Sequence, residues 1–231
     1  MQVLFEDNHL IAVSKAVGEI VQGDKTGDRT LIDEVKSYIK ERYRKPGDVF
    51  LGLVHRIDRP TSGVVVFART SKALSRLNDM FRSHEQVRKT YWAIVEGKPR
   101  FARARLENWL IRREAQNKTY IAREGDKDAK QAILSYRVLA EGDRYSLLEV
   151  DLQTGRHHQI RCQLSAIGHP IKGDLKYGAK RSNRDGGICL HARQLSFIHP
   201  VSKQQLDIVA PLPSDSLWKS LEEKISENTI N

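Results

Sequence analysis

Cysteine is scarce: Cys162 and Cys189 are the only two in 231 residues. A pair at that spacing builds neither a disulfide framework nor a four-ligand zinc set. No stretch approaches the ~20 apolar residues that a helix needs to cross a bilayer. The opening residues, Met1-Gln-Val-Leu-Phe-Glu-Asp, place acid early and lack the basic-then-apolar layout of a secretion signal. Internal repeats, low-complexity tracts and linker-like segments are missing, as are a glycine-rich phosphate loop and metal ligands at ligand spacing. The expectation is a reduced, cytoplasmic chain that works with no cofactor and no metal.

What is abundant is base. Lys and Arg number 39 against 29 Asp and Glu, a net charge of +10. The excess concentrates at residues 40–45 and 100–105, at Arg112-Arg113 and at residues 172–184. Such a surface suits a phosphate-rich partner, and it also occurs on basic proteins with no nucleic-acid role. Hydrophobic residues make up 39% and charged residues 29%, as in ordinary globular proteins. The length allows one good core or two closely joined subdomains.

Residues 3–14 alternate around Asp7-Asn8 and predict a hairpin. Thr30 caps a helix with Leu31, Val35, Tyr38 and Ile39 on one face, stopped by Pro46-Gly47. Residues 23–28 read as a loop. Apolar runs at 49–54 and 64–67 predict strands. Thr70 or Ser71 caps a second helix with Leu74, Leu77, Met80 and Phe81 inward. Strands follow at 88–96, 104–111, 118–122, 131–140 and 145–152, close enough to imply antiparallel pairing. A helix over 157–166 buries Ile160, Leu164 and Ile167 before Gly168 and Pro170 end it. Strands at 188–197 and 204–209 precede a last helix from Ser214 or Asp215 and a frayed tail over 226–231. Strands outnumber helices without regular alternation, so the class is α+β with a mixed, mostly antiparallel sheet.

Four segments carry groups able to do chemistry. The turn Leu53-Val-His-Arg-Ile-Asp-Arg-Pro-Thr-Ser-Gly63 sets polar groups between two buried strands, an arrangement costly to keep without a use. Its Asp58 lies between Arg56 and Arg59, which keep a carboxylate ionised; it also fits an Asx-turn that bonds only its own backbone. In Leu152-Gln-Thr-Gly-Arg-His-His-Gln-Ile-Arg161, His157 and Arg161 share a helix side next to the core. Arg161 there needs a carboxylate or a ligand phosphate, unless its stem packs on the helix and its head stays wet. In Arg88-Lys-Thr-Tyr-Trp-Ala-Ile-Val-Glu-Gly97, Tyr91 and Trp92 point to opposite sheet faces. Either both serve packing, or one of them stacks on a base, worth ~1–3 kcal/mol. Gly168-His-Pro-Ile-Lys-Gly-Asp174 opens a basic, glycine-rich run to Gly187, which is a solvated loop or a rider on a phosphate backbone. His191 and His199 read as structural.

In this order the segments resemble the RluA family of RNA pseudouridine synthases. The Asp58 turn is similar to that family's His-Arg-Leu-Asp-x-x-Thr-Ser-Gly signature. Residues 88–97 resemble its Lys-x-Tyr-x-Ala-x-Val-x-Gly strand, residues 154–164 its Thr-Gly-Arg-x-His-Gln-Ile-Arg helix, and residues 168–174 its Gly-His-Pro-Ile-x-Gly-Asp block. Leu190-His-Ala192 and residues 197–200 fit its C-terminal blocks. The resemblance spans residues 3–212. Ile57 stands where Leu is usual and Gln163 where His is frequent.

The resemblance implies the pseudouridine synthase fold, as a single catalytic domain over 1–231 without a separate N-terminal RNA-binding domain. It implies an isomerase that flips a uridine out of structured RNA, ribosomal or transfer, and rejoins the base through carbon. No energy source or metal enters such a reaction. Asp58 becomes the catalytic carboxylate, Arg161 its partner, and Tyr91 the ring against the flipped base. Arg56 fills the vacated space. His55, Arg59, Thr61, Arg156, His157 and Lys172 join it as RNA contacts. The chain is expected to act as a monomer. The rival class is a non-catalytic RNA-binding or RNA-folding protein on the same fold. A hydrolase built on His157 or His191 lacks any nucleophile–base pairing.

Overall fold

The computed structural model describes residues 1–23, 27–83 and 86–230, with side chains through residue 225. Residues 24–26 of the expected loop at 23–28 lie outside that description, as do Asn231 and the side chains of the expected tail. The chain forms two compact units. One comprises Met1–Arg88 and Ala192–Pro211, the other Lys89–His191 and Leu212–Asn231.

In the first unit, β1 (Gln2–Glu6) and β2 (Leu10–Lys15) form the predicted hairpin. Asp7 Oδ1 accepts from the amides of His9 and Leu10, each at 2.7 Å, and so closes the turn. β2 runs antiparallel to β4 (Ser62–Ala68), from Leu10 opposite Ala68 to Lys15 opposite Gly63. Every β4 residue is buried, as its unbroken apolar run suggests. The strand expected over 49–54 shrinks to β3 (Gly52–Leu53). β4 has two edges; β2 occupies one, and β3 shares the other with β10 (Leu190–Ile198). β11 (Gln205–Val209) pairs antiparallel with β10. Helix α1 (Leu31–Arg42) starts at a full capping box between Thr30 and Asp33 and buries Leu31, Val35 and Ile39. Helix α2 (Ser71–Ser83) has Thr70 Oγ1 accepting from the Ala73 amide at 3.2 Å and buries Ala73, Leu77 and Phe81.

In the second unit, five antiparallel strands run in the order β5 (Val87–Glu96), β9 (Tyr145–Leu152), β8 (Lys130–Glu141), β6 (Arg103–Arg113), β7 (Lys118–Ala122). Ile94, Leu134, Leu147, Leu148, Val150 and Leu164 form the centre of its core, with Trp218 and Leu221 of α4 (Ser216–Ile230). Helix α3 (Gln159–Ala166) begins two residues later than the pattern predicts. His158 has φ 49°, a left-handed conformation that no helical residue adopts, so the helix starts after it. Ile167, expected inside, is 38% exposed because α3 ends at Ala166 and the next residue leaves the buried face. The α4 backbone continues through Ile230, past the point where fraying is expected.

Gly63 is the tightest point of β4. Its φ is +120°, and a Cβ there would collide with the Ala192 backbone. Substitution combines a strained backbone with overpacking between strands. Gly63→Ala is expected to lose about 3 kcal/mol of unfolding free energy in urea titration; a loss below about 1 kcal/mol contradicts this packing.

Candidate active site

The turn over residues 54–61 leads into β4, and its conformation is set from below by Lys15. That side chain is 1% exposed, with its amine donating to the carbonyls of Ala16 at 2.9 Å, Arg59 at 3.1 Å and Thr61 at 2.7 Å. These charge-assisted bonds satisfy carbonyls that no strand ladder reaches. Burial lowers the Lys15 pKa to about 8, while the carboxylates of Glu19 and Asp58 pull it upward. The Thr61 amide donates to the Asp58 carbonyl at 3.0 Å and closes the turn that presents Asp58. Asp58 is half-buried, while Arg56 beside it is exposed.

The neighbours of Asp58 divide sharply. Arg59 reaches outward to Asp28, with Nη2 3.1 Å from Oδ2. His55 packs against the ring of Phe81, centroids 5.0 Å apart, and its Nε2 accepts from the Val66 amide at 3.1 Å. It ties the turn to β4. Thr61 is 2% exposed, which removes its side chain from the surface expected to meet RNA: the bond from Lys15 to its carbonyl draws the residue inward.

In the second unit, Tyr91 lies on β5 opposite Val150 and Trp92 opposite Glu149. Both are half-buried and packed against the core, so neither ring is a purely internal residue. Arg161 is buried on α3. Its guanidinium grips Asp174 in a two-pronged pair, Nε to Oδ2 at 2.7 Å and Nη2 to Oδ1 at 2.9 Å. Asp174 is 1% exposed. This carboxylate resolves the cost of a guanidinium at the core edge within the same unit. The partner expected from the resemblance, Asp58, belongs to the other unit.

A neutral cluster braces α3. Burial, with the charge of Arg161 next in weight, lowers the His158 pKa to about 2, so the ring is uncharged. Its Nδ1 stands 3.0 Å from the Tyr177 hydroxyl, which also accepts from the Thr119 amide at 2.8 Å. Burial raises that phenol to about 12. His157 stacks on His158 with centroids 3.7 Å apart, and its ring nitrogens meet Thr119 Oγ1 at 2.9 Å and Asn117 Oδ1 at 3.1 Å. Arg156 is exposed and donates from Nε to the Gln131 carbonyl at 3.0 Å. Lys172 donates to Asn183 Oδ1 at 2.6 Å. Sequence reasoning assigned no role to Lys15 or to the carboxylate of Asp174. The Gly-Asp block flagged the second; a lysine closing an apolar strand gave no signal for the first.

Among the described residues no group of three His, Cys, Asp or Glu side chains is placed to hold a metal ion, and no helix is long and apolar enough to cross a membrane.

Residues 9–166 match the family described as RNA pseudouridylate synthase. Ribosomal large subunit pseudouridine synthase D of Zymomonas mobilis is 34% identical over 225 residues, covering 93% of this chain and 70% of that one. The tRNA pseudouridine synthase C of Vibrio cholerae is 32% identical over 240 residues, covering 96% and 94%. The solved structure titled Human RNA Pseudouridylate Synthase Domain Containing 4 shares the fold, with a TM-score of 0.79 at 25% identity over 97% and 93% of the two chains. Fold and matches define an isomerase that acts on uridine in RNA, and they favour the enzyme over a binding-only protein. The chain belongs to the RluA family of RNA pseudouridine synthases.

Two tests follow from the buried charges. The folded pKa of Lys15 lies below its ordinary 10.5, so the fold holds fewer protons than the unfolded chain between about pH 8 and that value. Stability from this group therefore rises with pH across that window. The unfolding free energy of the parent is expected to gain on that of Lys15→Met between about pH 7.5 and about pH 10; a constant difference would sink the assignment. Asp174→Asn is expected to lose about 3 kcal/mol in urea titration, because Arg161 loses its two-pronged partner. The exposed control Asp79→Asn should change stability by less than about 1 kcal/mol.

Proposed function

We propose that the chain isomerises specific uridines in structured ribosomal or transfer RNA, as a cytoplasmic monomer, with Asp58 as its catalytic carboxylate. The observation that carries the assignment of Asp58 is its turn: a half-buried Asp on a backbone that Lys15 anchors, beside the exposed Arg56. The relatives' names supply the RNA classes. One is called a ribosomal large subunit synthase and another a tRNA synthase.

The reaction breaks the bond between uracil N1 and ribose C1′ and forms one from C5 to C1′; C5 loses a proton and N1 gains one. Nothing is oxidised or hydrolysed. Asp58 acts on the ribose carbon, on the ring, or through a glycal, and each path needs the carboxylate ionised at the nucleotide. The resemblance assigns that need to Arg161, whose guanidinium Asp174 fixes in orientation. Opposite charge within a few ångströms favours the carboxylate over the acid. Tyr91 stacks on the extruded base. Arg56 takes the space the base leaves, which offsets part of the few kcal/mol that flipping costs. Arg59, Arg156, His157 and Lys172 contact the RNA backbone around it. His55 and Thr61 hold the turn instead.

Mapping pseudouridine across total RNA from cells carrying the parent gene, no gene, or Asp58→Ala tests the reading. Specific sites are expected to vanish in both altered strains, while the purified variant binds RNA within about threefold of the parent. Sites that persist with Asp58→Ala would overturn the role of Asp58. Sites unchanged without the gene would overturn the substrate.

A further inference from the structure

Beyond Lys172 and Asp174, the basic run after Gly168 finds no use in the chemistry described so far. It contributes Lys180 and Arg181 to a recess of about 350 Å³ in the second unit, completed by Arg144, Tyr145, Glu96 and Gly97. Three segments distant in sequence meet there: the end of β5, the turn between β8 and β9, and the loop after the Arg161 partner Asp174.

The backbones of these segments are tied firmly. Glu96 Oε1 accepts from the Lys180 amide at 2.9 Å. The Gly97 amide donates to the Arg144 carbonyl at 2.8 Å, and Ser146 Oγ donates to the Gly97 carbonyl at 2.8 Å. The Ala179 amide bonds the Asp174 carbonyl at 3.0 Å. Glu96 is the sole acid among the lining residues, and its oxygen serves the loop amide. The side chains of Arg144, Lys180 and Arg181 are exposed, and among the described residues none of them forms an ion pair.

Three cations line one small recess, and charges act on each other over ~8–10 Å at ordinary salt. They repel, the single carboxylate of Glu96 offsets only part of the repulsion, and backbone hydrogen bonds hold the segments together. An anion relieves that strain. The recess has no glycine-rich cradle of amides for a terminal phosphate, and its one ring, Tyr145, is half-buried. Exposed side-chain charge without a base-reading surface fits the backbone of a polymer.

We propose that Arg144, Lys180 and Arg181 form a second RNA seat, which grips phosphodiesters outside the nucleotide undergoing reaction. The proposal rests on the RNA isomerase reading and deepens it. The seat governs affinity; the chemistry stays with the Asp58 turn. Because the loop carrying Lys180 also carries Asp174, RNA held there steadies the segment behind Arg161.

The test uses the full chain and fluorescently labelled bulk tRNA, with Arg144→Gln, Lys180→Gln and Arg181→Gln combined. A control combines Lys40→Gln, Lys45→Gln and Lys219→Gln, equally exposed cations elsewhere, so both proteins lose the same charge. The recess variant is expected to bind about tenfold or more weakly near 50 mM salt. Its slope of log affinity against log salt should flatten by about 2, since each lost phosphate contact removes ~0.7–0.9. With saturating RNA its kcat should stay within about twofold of the parent. Equal losses in the two variants would show diffuse charge and overturn the seat, as would a fall in kcat with affinity unchanged. A parent that binds tRNA through the recess without converting its uridines upholds the seat and overturns tRNA as the target.

Discussion

The Lys15 amine is the constraint on which the first unit depends. One buried charge collects the carbonyls of Ala16, Arg59 and Thr61, residues on two stretches of chain that no ladder joins at that point. Removing a charge from water is costly unless hydrogen bonds replace the lost hydration. Three short contacts do so here, and the depressed pKa records the part they leave uncompensated. The Asp58 turn therefore inherits its shape from a residue at the end of β2. A polar turn between buried strands needs such an internal anchor, because its backbone carbonyls lie beyond the reach of the strand ladder.

Acid and base are distributed unequally. Several carboxylates are engaged in holding the fold: Glu6 with Arg69, Tyr38 and Tyr43, Glu149 with Arg137, Asp174 with Arg161, Glu96 with a loop amide. Each acid paired with an arginine removes one cation along with itself, so the net charge of +10 is carried by the cations outside these pairs. An exposed pair such as Arg137–Glu149 adds little stability, but pairing determines which cations keep their field for a partner.

Features coded within a few residues were legible in the sequence. The capping box at Thr30, the Thr70 cap, the Asp7 turn and the apolar run of β4 each appear where local chemistry demands. Asp58 and Arg56 stood out because ionised groups between buried strands need a reason. What escaped depends on distant partners. β3 is short because β4 offers it only part of one edge. The start of α3 depends on the left-handed His158, and nothing in His-His announces that conformation. The burial of Thr61 has no local signal, because its inward pull comes from Lys15, 46 residues away. The grip of Arg161 on Asp174 depends on a loop that returns to the helix after it ends.

The chain leaves the first unit after Arg88 and returns to it only at Ala192. On a ribosome, which delivers residues in order, β4 emerges long before β10 and β11. Until then one flank of β4 stays largely without its neighbour, and an open, wholly apolar strand is a template for wrong pairing. The intervening residues 89–191 make up most of the second unit and have their own antiparallel ladder to close in the meantime. The order of synthesis thus completes the sheet behind the Asp58 turn last, so a nascent chain carries that turn well before it has the framework that supports it.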